Sequence, residues 1–387
     1  MNIWLILIAF TFHFTRHGIS FPLIPLLAEN FGAAPSEIGF TVGAFGLIGV
    51  FLSIPLGGLI DRVGPKRMLV FGVIGNIANA AILLHTSTIF ELIIAQMIAG
   101  LAFTLIIVGS QALFSKMLDP REREKAFGLL TVGASIGQGI GPVFGGFLVE
   151  RFDYQTAFYL VLIFSSMGLL VLGIRGIKES NSLKRSYSFF QDARLAGGLA
   201  LNPQVMIILM FTFVVLFAVN LNSSFLPVLL RGEGLKESSI GSLLSVFAVT
   251  SIGIRLFFSN LLAFANRKKI IAFAMGTIVV GVGLIPSMSS LMGFAMALLI
   301  YGLGFGITQP LSMVMIADLT DPNLSGLAMG LRFTVIMAAN LLSPVILGFA
   351  VDIIGLKSVF YFAAFVVSIT AIYILVIRPG LIPGRRI

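Results

Sequence analysis

The strongest constraint on this chain is a series of twelve apolar runs, each long enough to cross a membrane as a helix. One crossing needs about 20 residues, because an α-helix rises about 1.5 Å per residue through a hydrocarbon layer about 30 Å thick. The runs lie near residues 3–27, 37–60, 68–86, 90–115, 126–149, 155–176, 203–230, 239–264, 270–287, 290–317, 326–351 and 357–377. The sequence therefore predicts an all-α membrane protein with twelve transmembrane helices.

Composition excludes the main classes of soluble protein. Hydrophobic residues make up 58% of the chain and charged residues 11%, whereas an ordinary soluble domain has about 25% charged residues. There is no cysteine, and the sequence contains no Walker loop, metal-ligand spacing or nucleophile constellation. We therefore expect no enzyme, no metal site and no cofactor. The net charge of +9 is spread over short loops rather than one face, which argues against a nucleic-acid partner.

The positions of lysine and arginine predict how the helices cross the membrane. Eighteen of the 25 basic residues lie in the loops after the second, fourth, sixth and eighth helices and in the C-terminal tail. The loops on the opposite side hold only Arg151, Arg231, Lys236 and Lys357. Because loops rich in lysine and arginine stay in the cytoplasm, we expect a multi-pass protein of the inner or plasma membrane with both termini cytoplasmic.

An internal repeat divides the chain. Sliding the sequence by 202 residues places Ile38-Gly39 on Ile240-Gly241 and Pro142 on Pro344, and this offset serves from the first helix to the twelfth without a gap. The sequence therefore predicts two pseudo-symmetric six-helix bundles. The N-terminal bundle is expected at 1–176, a cytoplasmic linker at 177–202, and the C-terminal bundle with a short cytoplasmic tail at 203–387.

Two motifs in the first half carry a resemblance to a known family. Residues 57–67 read Gly-Gly-Leu-Ile-Asp-Arg-Val-Gly-Pro-Lys-Arg, and residues 137–146 read Gly-Gln-Gly-Ile-Gly-Pro-Val-Phe-Gly-Gly. The loop resembles a signature of the major facilitator superfamily, and the helix motif resembles the antiporter signature that marks exporters in that family. The resemblance implies a substrate site between the halves near the midplane. It also implies a cytoplasmic gate, in which Asp61 faces the start of the eleventh helix, formed by Gly57, Asp61, Arg62, Gly64, Lys66 and Arg67.

Glycines on the fifth predicted helix form a stripe. Gly133, Gly137, Gly141 and Gly145 recur every four residues, so they share one face along which another backbone can approach closely. Pro142 and Gly146 complete the motif. We expect a helix of the other half on this stripe, sealing or sliding during transport. A simple packing face is the alternative.

Ionisable residues at membrane depth are candidates for function, and here they are all basic. The sequence places Arg16, Arg255 and Arg332 inside helices and predicts no carboxylate near the midplane. The arginines either create a positive cavity for an anionic or zwitterionic solute, or they bond to carbonyls and amides, with Arg332 able to reach the cytoplasm. The candidate substrate-binding residues are Arg16, His13, His17, Gln111, Gln138, Asn220, Arg255 and Asn340.

Proton coupling has two candidates. His13 and His17 share a face with Arg16 and are the only residues near the midplane that titrate between about pH 5 and 8. We expect a secondary transporter working by alternating access, with proton-coupled efflux of a small amphipathic organic compound. Two alternatives stay open: an exchanger or translocase of an organic anion, zwitterion or lipid headgroup bound by Arg16, and a non-transporting sensor or scaffold. The expected partners are a small-molecule substrate, protons and the lipid bilayer, and a monomer is expected.

Overall fold

The computed structural model describes residues 3–53, 59, 63–117, 120–173, 189–264, 266–320 and 324–376. In the first half these residues form α1 (Ile3–Ser20), α2 (Leu23–Asn30), α3 (Pro35–Leu52), α4 (Pro65–His85), α5 (Ile89–Met117), α6 (Pro120–Arg151) and α7 (Tyr154–Gly173). A short helix, α8 (Phe189–Ala200), follows. The second half contains α9 (Pro203–Ser224), α10 (Leu226–Gly232), α11 (Glu237–Leu256), α12 (Phe258–Phe264), α13 (Arg267–Leu284), α14 (Leu291–Leu319), α15 (Ser325–Ile354) and α16 (Leu356–Val376).

Twelve membrane crossings are confirmed. Within the described ranges, eleven helices are long and apolar enough to span a membrane, namely α3 to α7, α9, α11 and α13 to α16. The twelfth crossing is the N-terminal pair α1 and α2, which follow each other with a two-residue break. Large apolar side chains such as Phe51, Leu170 and Phe365 are exposed on the outside of the bundle, as lipid-facing side chains should be.

Three predicted helices are broken, and two of the breaks fall at nearly equivalent positions of the repeat. The first run divides at Phe21-Pro22, and the seventh divides at Phe225, two residues before Pro227. Proline has no N–H and clashes with the preceding turn, so an uninterrupted helix is unfavourable there. The predicted spans 3–27 and 203–230 were therefore wrong in continuity. The predicted span 239–264 was wrong in the same respect, because it divides at Phe257 into α11 and α12. The predicted linker contains α8, and the domain boundaries stay a prediction.

The two halves pack through two symmetry-related helix pairs, α3 with α15 and α6 with α11. In the first pair Gly39 lies against the carbonyl of Pro344, and in the second Gly241 lies against the carbonyl of Pro142. These contacts are related by the 202-residue offset. Glycine is needed because a side chain would overlap the facing backbone, and the close approach permits Cα–H···O contacts.

These contacts lie toward one end of the bundle, which we call the outer end. It holds the start of α3 at Pro35, the end of α6 at Arg151 and the start of α11 at Glu237. The distribution of basic residues predicts that this end is extracytoplasmic. The opposite end, the inner end, holds the start of α4 at Pro65 and the end of α14 at Leu319.

Candidate transport pathway

Arg16 lies inside the first half and is bonded to two asparagines of α4. Its side chain is 1% exposed. Nη1 donates to Asn76 Oδ1, and Nη2 donates to Asn79 Oδ1 at 2.7 Å. Asn79 in turn donates to the carbonyl of Ala95 on α5 at 2.8 Å. The structure therefore places Arg16 in a three-helix polar network of the first half, and its role as a substrate contact stays a prediction.

The same network includes His13. Asn76 Nδ2 donates to His13 Nδ1 at 2.9 Å. The asparagine amide cannot be reversed, because its oxygen accepts from Arg16. His13 Nδ1 must therefore accept and carry no proton in this arrangement. The signal that sequence analysis missed is the pair Asn76 and Asn79, two amides three residues apart and hence on one face of an apolar helix.

His17 has a different environment, which is aromatic. Its ring centroid lies 4.7 Å from that of Phe21, 5.4 Å from that of Phe45 on α3 and 5.4 Å from that of Phe103 on α5. The His13 ring is stacked at 6.5 Å. His17 is partly exposed, whereas His13 is buried. Of the two histidines, His17 is thus the more exposed.

In the second half, an amide pair links α9 to α15. Asn220 Nδ2 donates to the carbonyl of Ala339 at 3.1 Å and to Asn340 Oδ1 at 3.3 Å. The structure brings these two predicted residues together. Gln111 on α5 and Gln138 on α6 are exposed, and the structure does not bring either into this pair.

The other two arginines predicted inside helices, Arg255 and Arg332, both contact α14. Arg332 of α15 donates from Nε to Ser312 Oγ at 3.0 Å and from Nη2 to Gln309 Oε1 at 2.8 Å. It is 7% exposed, so it is buried rather than extended into solvent. Arg255 of α11 lies over the ring of Phe305, with 5.6 Å between Cζ and the ring centroid. Its Nε is buried and has no hydrogen-bond partner in the described part of the chain.

The glycine stripe of α6 faces α1 of the same half, so the expected partner from the other half was wrong. A Cβ at Gly141 would lie 2.6 Å from the Gly18 backbone, and one at Gly145 would lie 2.9 Å from the carbonyl oxygen of Ile19. The other half instead meets an adjacent face of the same motif. There Gly146 lies against the carbonyl of Glu237.

The predicted gate loop is only partly visible. Gly57, Asp61 and Arg62 lie outside the described residues, so their roles stay predictions. Gly64 precedes α4 with φ of 93°, a conformation that only glycine adopts without strain. Lys66 and Arg67 lie in the first turn of α4.

The outer end is joined by hydrogen bonds and ion pairs between the halves. Arg231 of α10 donates to Asn30 Oδ1 at 2.7 Å, to Glu29 Oε2 at 3.4 Å and to the hydroxyl of Tyr154. Glu29 and Arg231 are related by the 202-residue offset, so equivalent positions touch and the pair lies near the pseudo-two-fold axis.

Carboxylates complete this closure in a symmetric way. Asp352 at the end of α15 accepts from the backbone N–H of Ser36 at 3.2 Å, and Glu150 at the end of α6 accepts from that of Ser238 at 3.3 Å. Each carboxylate thus lies at the N-terminus of a helix of the other half, where the helix dipole favours a negative charge.

Comparisons with known proteins agree with this architecture. The sequence matches the Major Facilitator Superfamily over residues 5–336 and 208–386. An uncharacterized MFS-type transporter of Methanocaldococcus jannaschii is 24% identical over 371 residues, which cover 90% of this chain and 92% of that protein. Multidrug resistance protein 2 of Bacillus subtilis is 22% identical over 366 residues, covering 91% of this chain and 89% of that protein.

A solved structure shows the same fold. A variant of the nucleoside transporter NupG superposes with a TM-score of 0.80 over 96% of this chain and 98% of that chain, at 13% identity. The match in sequence extends across both six-helix halves, and the match in structure covers nearly all of both chains. The protein is therefore a multi-pass membrane transporter, not an enzyme, and it belongs to the Major Facilitator Superfamily.

Proposed function

We propose that the protein exports a small amphipathic organic compound across the plasma membrane in exchange for protons, by alternating access and with both termini cytoplasmic. The observation that supports this best is the closure of one end of the bundle. Within the described ranges, the two ion pairs that join the halves, Arg231–Glu29 and Lys236–Glu150, both lie at the outer end. Two halves joined at one end match one state of an alternating-access cycle.

Export is supported by the glycine and proline motif on α6. Its glycine stripe packs against α1 of the same half, while Pro142 and Gly146 contact α11 of the other half. A rotation of one half against the other must break the contact between α6 and α11 and keep the contact between α6 and α1. The motif therefore lies at the boundary between the halves that has to move. Similarity to Multidrug resistance protein 2 makes export the direction of transport to test first.

An amphipathic substrate is supported by aromatic clusters in both halves. Phe21, Phe45 and Phe103 surround His17 in the first half. In the second half the rings of Phe247 and Phe305 stack at 5.4 Å. Pockets for organic ligands combine such apolar walls with a few polar groups. His17 supplies a titratable group beside one of these walls, and we assign proton coupling to it.

Transport in sealed liposomes tests the proposal. Purified protein is reconstituted, a pH gradient is imposed, and movement of ethidium, a cation, and of fluorescein, an anion, is followed by fluorescence. The expected result is dye movement against proton flow that stops when a protonophore collapses the gradient. Protein-free liposomes and a reversed gradient are the controls.

Two results would contradict the proposal. Dye exchange that ignores the pH gradient would favour an exchanger of organic anions or zwitterions. Folded protein that moves neither dye under any gradient would favour the sensor or scaffold alternative.

A further inference from the structure

Two arginines converge on one face of α14, and this placement points to the charge of the transported compound. Phe305, Gln309 and Ser312 follow the spacing of a single helix face. Arg255 reaches Phe305 from α11, and Arg332 reaches Gln309 and Ser312 from α15. Four residues along a helix correspond to about 6 Å, so the two guanidinium groups lie at neighbouring levels.

Neither charge is neutralised by a carboxylate among the residues that the structure describes. The partners of Arg332 are a hydroxyl and an amide, and that of Arg255 is an aromatic ring. Asp318, the acidic residue at the end of α14, is paired with Arg267. Two unneutralised guanidinium groups on one face of α14 create a positive potential that favours an anion.

The position of Arg255 favours a water-filled path over lipid. Arg255 is in the last turn of α11, but its guanidinium lies over Phe305, at the centre of α14, which runs from Leu291 to Leu319. Arg255 is partly exposed there. An arginine exposed to lipid at this depth is costly, whereas one that faces a polar space between helices is tolerated.

Arg16, by contrast, has its two terminal nitrogens occupied. Both donate to asparagine oxygens inside the first half. An anion at Arg16 would have to displace Asn76 and Asn79, whereas an anion at Arg255 displaces no hydrogen bond in the described part of the chain. The stacked rings of Phe247 and Phe305 lie beside Arg255 and provide an apolar surface for the rest of the molecule.

We propose that Arg255, held over Phe305 and assisted by the charge of Arg332, binds the acidic group of the substrate, so that the exported compound is an amphipathic organic anion. The inference rests on the proposed export function and specifies its substrate class. A carboxylate, sulfonate or phosphate can accept two parallel hydrogen bonds from the guanidinium fork.

Binding to the purified full-length protein tests this without any gradient. Fluorescein and its methyl ester share one ring system but differ in the carboxylate, and fluorescence polarisation reports the binding of each. Wild type should bind the acid more tightly than the ester. Arg255→Gln should weaken binding of the acid about tenfold or more and leave the ester within about twofold. Arg332→Gln should act in the same direction more weakly, and Arg151→Gln, which removes an exposed charge at the outer end, should change neither.

Several results would overturn the inference. They are equal binding of acid and ester by wild type, binding of neither, or an Arg255→Gln variant that affects both compounds alike or neither. If Arg255→Gln does not fold, Arg255→Lys keeps a positive charge but loses the guanidinium fork. It should weaken binding of the acid by a smaller factor. Arg255-dependent binding without proton-driven transport would keep the anion site and reject export. Proton-driven ethidium transport without Arg255-dependent binding would support export and reject the anion site.

Discussion

At the scale of single residues, the main question is how three arginines are stabilised inside membrane helices. Each costs about 2.5–3.5 kcal/mol at the bilayer centre on the milder insertion scales. Arg16 donates hydrogen bonds to two asparagines, Arg332 donates to a glutamine and a serine, and Arg255 lies over the face of a phenylalanine. The three environments separate a structural arginine from one that is available to a ligand.

We expect Arg16→Ala to destabilise the protein more than it changes substrate affinity. The substitution leaves two buried amide oxygens without a donor, and each costs about 1–3 kcal/mol. Arg16→Lys should be intermediate, because one ammonium group cannot reproduce the guanidinium fork. Thermal unfolding in detergent and the KM of transport check this. Normal stability with a raised KM would instead make Arg16 the substrate contact.

We expect His17→Gln to flatten the pH dependence of transport and His13→Gln to leave it largely unchanged. His13 Nδ1 is committed as an acceptor to Asn76, whereas His17 contacts rings and is partly exposed. The measurement is transport rate against pH at matched expression. Identical pH profiles of transport for wild type and the double glutamine variant would show that neither histidine takes part in proton coupling.

At the scale of elements, α6 has two contact faces with different partners. The stripe that includes Gly141 packs on α1 within one half, and Pro142 and Gly146 pack on α11 across the halves. Adjacent positions on a helix point in directions about 100° apart. One short motif can therefore hold a permanent contact and a contact that opens.

Two alanine substitutions should change stability in opposite directions. Gly141→Ala places a Cβ 2.6 Å from the Gly18 backbone, which should cost about 1–3 kcal/mol by overpacking. Gly276→Ala, in α13, meets nothing within 4 Å and should gain up to about 1 kcal/mol from helix propensity. Unfolding midpoints measure both. Equal effects would show that α1 and α6 are not in close contact.

At the scale of the whole molecule, the closure of the outer end follows the repeat. Glu29 faces its equivalent Arg231, and Asp352 and Glu150 occupy equivalent helix N-termini. Because the contacts are paired, each half contributes comparably to closure. The predicted brace at Asp61 would act at the inner end, so Asp61→Asn should raise the inner-open population.

Removing either symmetric carboxylate should open the outer end, with a modestly larger effect for Glu150 because it also pairs with the exposed Lys236. Glu150→Gln and Asp352→Asn each remove a negative charge from a helix N-terminus, so each should raise the outer-open population by at most about fivefold. The chain has no cysteine, so spin labels can be attached at cysteines replacing Phe152 and Met292. Distances between those labels report the two populations. Strongly unequal effects would contradict the symmetric account.

Acidification should favour the closed outer end through Glu29. Burial raises the pKa of Glu29 in this closed state, although Arg231 opposes the shift. In an open state where Glu29 is hydrated, its pKa returns toward the ordinary value. The closed state then binds the proton more tightly, so lowering the pH through the raised pKa stabilises closure and raising the pH above it weakens closure. The same labels, followed from about pH 7 to about pH 4, should show this, and Glu29→Gln should remove it. If the closed population of the Glu29→Gln variant depends on pH as it does in wild type, Glu29 is not the group responsible.

The sequence alone determined the number of membrane helices, the two halves and the family, because bilayer thickness sets run length and a repeat survives as an offset. That offset also relates the residues of the outer closure, such as Glu29 and Arg231. The tertiary structure decided which faces meet. The partners of Arg16 are about 60 residues away in sequence, and the stripe of Gly141 faces α1 rather than the other half. Helix periodicity specifies which residues share a face, but only packing in three dimensions specifies which neighbour that face contacts. Arg16 was for this reason the best candidate by sequence, while Arg255 has the more available guanidinium in the folded chain.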